Sequence, residues 1–171
     1  MLELVLGGAR SGKRRYARQC AEVLSDRPWL LVTATAQDPE RPQCSDGQQG
    51  GAHWQVLEVP VDLVDALAPL DQPETVVVVD CLTRWLDTLL RTEPAAVAAR
   101  CDALCALVEN WQGRLFLISR ELGAGGVALD ARDRALVERN GELQQALARC
   151  AGRVTLMVAG LPLQLKDIWQ D

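Results

Sequence analysis

The chain has 171 residues, 49% of them apolar and 24% charged, with a mean hydropathy of zero, so disorder is excluded and one globular domain over 1–171 is expected. Eighteen basic against 23 acidic side chains leave a net charge of −5, which disfavours non-specific nucleic-acid binding. No run approaches the roughly 20 apolar residues that span a bilayer, so no membrane span is expected.

Short apolar runs alternate with helical patterns. The first, "LELVL" at 2–6, is too short for a signal-peptide core, and with six cysteines that form no C-x-x-C pair it points to a reducing cytoplasm and to buried thiols. A helical pattern over 12–25 precedes the strand "WLLVTAT" at 29–35. Residues 36–53 are polar and aperiodic, with two prolines and three glycines, a length at which loops are usually functional or disordered. Strands follow at 54–59 and 75–80, with a helix at 61–68 between them and helices at 81–91 and 94–111 beyond. The last of these has Pro94 in its first turn and sets Val97, Cys101, Leu104, Cys105 and Val108 on one core-facing stripe. A strand at 114–119, a glycine-rich stretch at 120–129, a helix at 130–150 and a strand at 153–160 complete the chain. The runs are continuous rather than alternating, as strands covered on both faces should be. A three-layer α/β fold of the P-loop type with a mostly parallel central sheet is therefore expected.

"GGARSGK" at 7–13 carries the clearest chemistry, because Gly7, Gly12 and Lys13 fit G-x-x-x-x-G-K between a strand and a helix. Backbone N–H groups of Gly7, Gly8, Ala9, Arg10, Ser11 and Gly12 can surround phosphate oxygens, the helix N-terminus adds positive potential, and Lys13 reaches the terminal phosphates. Lys13 is one of only two lysines, the other being Lys166, among eighteen basic residues. A glycine-rich turn with an incidental lysine is the competing reading. Arg14 fills the Ser/Thr position whose hydroxyl normally holds Mg²⁺, so Arg14→Ser is expected to raise Mg²⁺-dependent turnover. Asp80 ends the run "VVVVD" as a candidate Mg²⁺ ligand, or as a helix N-cap. His53, the sole imidazole, is a candidate base or nucleophile, or a loop-edge residue packed on Trp54. Glu121 stands at a strand's carboxyl end, where α/β sheets bind ligands, or in a plain surface turn. Arg132, Asp133, Arg134, Glu138 and Arg139 read as a solvated helix face.

Taken together, these residues resemble the bifunctional adenosylcobinamide kinase/adenosylcobinamide-phosphate guanylyltransferases of cobalamin biosynthesis. The likeness runs in order through "LVLGGARSGKRRYA", "TATAQD", "AHWQVLEVP", "VVVVDCLTRWLDTLL", "SRELGAGGV", "NGELQQALA" and "VTLMVAGLPLQLK". It implies phosphorylation of the corrinoid's aminopropanol hydroxyl by ATP or GTP, then transfer of GMP from GTP through a histidine. It also implies phosphate contacts from Gly7 through Arg14, nucleotide contacts from Ala34, Thr35, Ala36, Gly50, Gly51, Ala52 and His53, a site completed by Glu58 and Asp80, and a homotrimer. The chain departs from that pattern at Arg14, where the family has serine, at Arg120, where it has asparagine, and at Gly50-Gly51, where it has arginine-proline. Ser45 falls near the place of the family's nucleophilic histidine, so the kinase step survives better than histidine-carried guanylylation. A non-catalytic nucleotide-binding paralogue, or a P-loop kinase for another small alcohol, are the alternative readings.

Overall fold

The computed structural model describes residues 1–34, 53–59, 61–122 and 130–168. Strands β1 (Leu2–Gly7), β2 (Trp29–Val32), β3 (Gln55–Glu58), β4 (Val76–Asp80), β5 (Arg114–Arg120) and β6 (Arg153–Val158) pair in parallel, and β7 (Leu161–Asp167) returns antiparallel to β6. Their order across the sheet is β3-β2-β4-β5-β1-β6-β7. The helices are α1 (Lys13–Leu24), α2 (Leu63–Leu67), α3 (Leu82–Thr92), α4 (Val97–Glu109) and α5 (Ala131–Cys150). The expected three-layer, mostly parallel arrangement is the one found.

In the central strands β1, β4 and β5 side chains alternate between faces, and both faces are buried. Val76 and Val78 join Val5, Leu30, Phe116 and Ile118 beneath Ala17 and Ala21 of α1, whose small side chains let that helix lie close. Val77 and Val79 join Leu4, Leu31, Leu115 and Leu117 beneath Trp85, Leu89, Leu104 and Leu147 of α3, α4 and α5. Each fully buried leucine stabilises the fold by about 1.5–3 kcal/mol. The stripe expected on α4 faces this core, with Val97, Leu104 and Val108 buried and Cys101 and Cys105 packed along its edge.

Three expectations need correcting. The strand expected at 153–160 stops at Val158, because Ala159 and Gly160 have φ of 51° and 82° and turn the chain into β7. Positive φ at both central residues is the geometry of a two-residue hairpin. The helix expected from 94 starts as a 3₁₀ turn at Pro94–Ala96 and becomes α-helical at Val97. Of the cysteines only Cys81 is buried; Cys20, Cys101, Cys105 and Cys150 are half-buried at the margins of the helical faces, and Cys44 lies outside the described residues.

The register aligns the carboxyl ends of the central strands. Gly7 stands beside Arg120, and Asp80 beside Ile118 and Val32. Whatever leaves β1, β4 and β5 at this edge is thereby brought together.

Candidate active site

Gly7 leaves β1 with a φ of 156°, and a Cβ there would meet the Met157 carbonyl at 2.8 Å as well as the Ser11 side chain. Gly12 precedes α1 with a φ of 94°, and its Cβ would stand 3.2 Å from the Gly160 Cα. Both positions therefore require glycine. The loop between them is tied down at three points. Ser11 N–H donates to the Gly8 carbonyl (3.3 Å), Gly160 N–H to the Ser11 carbonyl (3.0 Å) and Glu121 N–H to the Gly7 carbonyl (3.1 Å). Gly8, Ala9 and Arg10 form its exposed crest.

Helix α1 opens without a side-chain cap and without an acid in its first turn; Lys13, Arg14 and Arg15 stand there instead. Three cations at the positive end of a helix dipole are locally unfavourable, and an anion at the uncapped N–H groups relieves the conflict. Ser11 Oγ, buried inside the loop, has no hydrogen-bond partner. Lys13 Nζ folds back to donate to the Gly8 carbonyl at 2.8 Å. Burial pushes the Lys13 ammonium below the usual lysine range, and the charges of Arg120 and Arg14 push the same way against Cys81 and Asp80.

Arg14 reaches across to β4, where its Nε and Nη2 donate to Oδ2 and Oδ1 of Asp80, the Nη2–Oδ1 distance being 3.1 Å. The Asp80 side chain is 2% exposed and that of Arg14 44% exposed. Thr33 fixes the exit of β4, accepting from Cys81 N–H (2.9 Å) and donating to the Cys81 carbonyl (2.7 Å).

The exit of β5 is held by a buried polar cluster. Thr83 accepts from Arg120 N–H (2.8 Å) and donates to Asn140 Oδ1 (2.9 Å), while the amides of Asn140 and Gln144 each donate to the Arg120 carbonyl at 3.0 Å. Arg120 and Glu121 are thus presented from a backbone gripped on both sides. Sequence reasoning passed over Thr33, Thr83, Asn140 and Gln144. The available signal was a threonine one turn beyond Asp80, and Asn140 and Gln144 four apart on one face of a helix.

The profile of the family described as cobinamide kinase / cobinamide phosphate guanyltransferase matches residues 3–165. The chain belongs to this family. It is 38% identical to the bifunctional adenosylcobalamin biosynthesis protein CobP of Pseudomonas aeruginosa, covering 97% of this chain and 98% of that one. Two proteins called bifunctional adenosylcobalamin biosynthesis protein CobU are also similar. That of Salmonella typhimurium is 29% identical and that of Escherichia coli 28% identical, with 97% of this chain and 100% of each relative covered. As a cobinamide kinase family member the chain is an enzyme of cobalamin biosynthesis with a P-loop NTPase fold.

Within this cobinamide kinase fold, the expected site residues separate into groups. Gly7 through Arg14, Asp80 and Glu121 gather at the carboxyl edge of β1, β4 and β5. Ala34 lies buried just past β2 at the same edge. Glu58 ends β3, four strand spacings from β1, or roughly 19 Å away. His53 is not brought to the loop: it is exposed, its N–H donates to the Asp26 carbonyl (2.7 Å), and it precedes β3 where Gln55 pairs with the first residue of β2. That is the amino edge of the sheet, opposite the phosphate loop. Thr35, Ala36, Ser45, Gly50, Gly51 and Ala52 lie outside the described residues.

The residues present do not fit a protein-held Mg²⁺. Both oxygens of Asp80 face Arg14, which also occupies the hydroxyl ligand's position. Among the described residues no three His, Cys, Asp or Glu side chains are grouped to hold a metal. The carboxylate expected to be a metal ligand is instead one half of an ion pair.

Proposed function

We propose that the chain transfers the terminal phosphate of GTP or ATP to the aminopropanol hydroxyl of adenosylcobinamide, with residues 7–14 as the phosphate seat. The observation that carries this reading is the loop itself: an uncapped helix start, an unpartnered Ser11 Oγ, and Lys13, Arg14 and Arg120 gathered around it. Backbone N–H groups and Lys13 hold the phosphates, and Asp80 orients Arg14. Glu121, one residue beyond the gripped Arg120, takes the corrinoid side. Phosphoryl transfer asks for positioning and charge stabilisation, which this arrangement supplies. Calorimetric titration of GTP and ATP into wild type and Lys13→Ala tests the seat. The variant should bind at least about tenfold more weakly, and equal affinity would contradict the reading.

Guanylyl transfer by this chain proceeds, in our reading, without a GMP–histidine adduct. The sole histidine, His53, stands at the opposite edge of the sheet, and an acid-labile GMP label mapped to it would contradict this.

We also propose that 1–171 is one nucleotide-binding domain, in keeping with the one sheet that, among the described residues, runs from Leu2 to Asp167. No helix among the described residues is long and apolar enough to cross a membrane, and a cytoplasmic location suits the free thiols. Self-association, with a trimer as the expected form, is supported by edge strand β7. Its Leu161, Leu163 and Leu165 are between 55% and 71% exposed, and a second copy of the chain is the partner that such a strand fits.

A further inference from the structure

Mg²⁺ serves a phosphate loop by placing two positive charges among the terminal phosphate oxygens, held by a hydroxyl after the lysine and by a strand-end carboxylate. Here both anchors are committed. The hydroxyl is replaced by Arg14, and the carboxylate of Asp80 lies buried with its two oxygens on the Arg14 guanidinium. A divalent ion entering this place would have to part a two-point ion pair whose acid is 2% exposed.

The guanidinium is paired with the carboxylate that would anchor the ion. One edge of it is fixed by the buried acid, while the side chain remains 44% exposed towards solvent. A planar guanidinium carries five N–H donors in a fixed fork that matches phosphate oxygens as well as carboxylate oxygens. Arg120 is close enough that its charge is felt at both Lys13 and Cys81.

We propose that Arg14 is a built-in substitute for the divalent cation, so that this chain binds the triphosphate of GTP or ATP without Mg²⁺, the guanidinium bridging Asp80 and the phosphate oxygens. The inference rests on the nucleotide reading above and adds to it the identity of the bound species, a metal-free nucleotide. It also reverses the expectation that Arg14→Ser repairs a defect, since that change removes the working cation.

The test is the affinity of wild type for GTP and ATP by calorimetry, in saturating Mg²⁺ and in excess EDTA. The two values should agree within about threefold, whereas removing Arg14's charge-assisted hydrogen bonds should cost about tenfold or more. Arg14→Gln keeps an amide N–H for Asp80 and removes the charge. With its fold checked by circular dichroism, it should lose that factor in EDTA and recover part of it in Mg²⁺. A tenfold loss by wild type in EDTA overturns the proposal and leaves the nucleotide reading standing. Arg14→Gln binding as tightly as wild type in EDTA overturns it too. Binding in neither buffer overturns the nucleotide reading and this inference with it.

Discussion

Lys13 and Lys166, the only lysines in the chain, both donate to backbone carbonyls, but with different consequences. Lys166 Nζ lies 3.0 Å from the carbonyls of both Ala148 and Arg149 and caps the carboxyl end of α5, where a cation meets the negative end of the dipole. Lys13 holds a loop carbonyl that a phosphate can displace, and burial lowers its pKa from the ordinary 10.5. A bound phosphate favours the ammonium, so nucleotide binding takes up a proton wherever the free enzyme has lost it. Affinity should stay flat through neutral pH and fall as pH rises through the lowered Lys13 pKa, beginning below 10.5. Calorimetry from neutral pH upward reads this, with Lys13→Ala lacking that alkaline fall; a profile shared by both proteins would remove Lys13 from the phosphate seat.

Helix α1 is joined to the sheet by a polar pin as well as by its alanines. Tyr16 Oη donates to Glu3 (3.0 Å), a residue 1% exposed on β1 that also accepts from Thr155 of β6 (2.7 Å) and lies near Arg153. Tyr16→Phe should cost about 1–3 kcal/mol in urea unfolding, because it removes one donor from a buried carboxylate. Burial raises the Tyr16 phenol from 10.0 to about 12. Its contribution to stability is therefore whole below 10 and lost as pH rises towards 12. The parallel strands were legible because "VVVVD" and "RLFLIS" are continuous β-rich runs. Strand β7 was not, since its Leu161, Leu163 and Leu165 alternate as a buried face would and yet point outward at an edge that also tolerates Pro162. The loop at 7–13 was legible because its contacts are local. The Arg14–Asp80 pair spans 66 positions and the Thr83–Asn140 bond 57, and those meetings follow from strand order, which no local spacing encodes. The position of His53 was hidden for the same reason: the strand it precedes puts it at the far edge of the sheet.

At the scale of the whole molecule, the sheet ends in β3 on one side and in the apolar β7 on the other. Leu163→Asp places a charge in the proposed contact and should shift the sedimenting species from oligomer to monomer without loss of helical signal. A monomeric wild type would contradict self-association through this edge. The account's central claim is narrower: the carboxyl edge of β1, β4 and β5 is a seat for transferring a terminal phosphate to a corrinoid alcohol. Its most direct test is incubation with γ-labelled GTP or ATP and adenosylcobinamide, with the corrinoid isolated and counted. Wild type should yield labelled adenosylcobinamide phosphate and Lys13→Ala essentially none; an unlabelled corrinoid from folded, nucleotide-bound wild type would contradict the account.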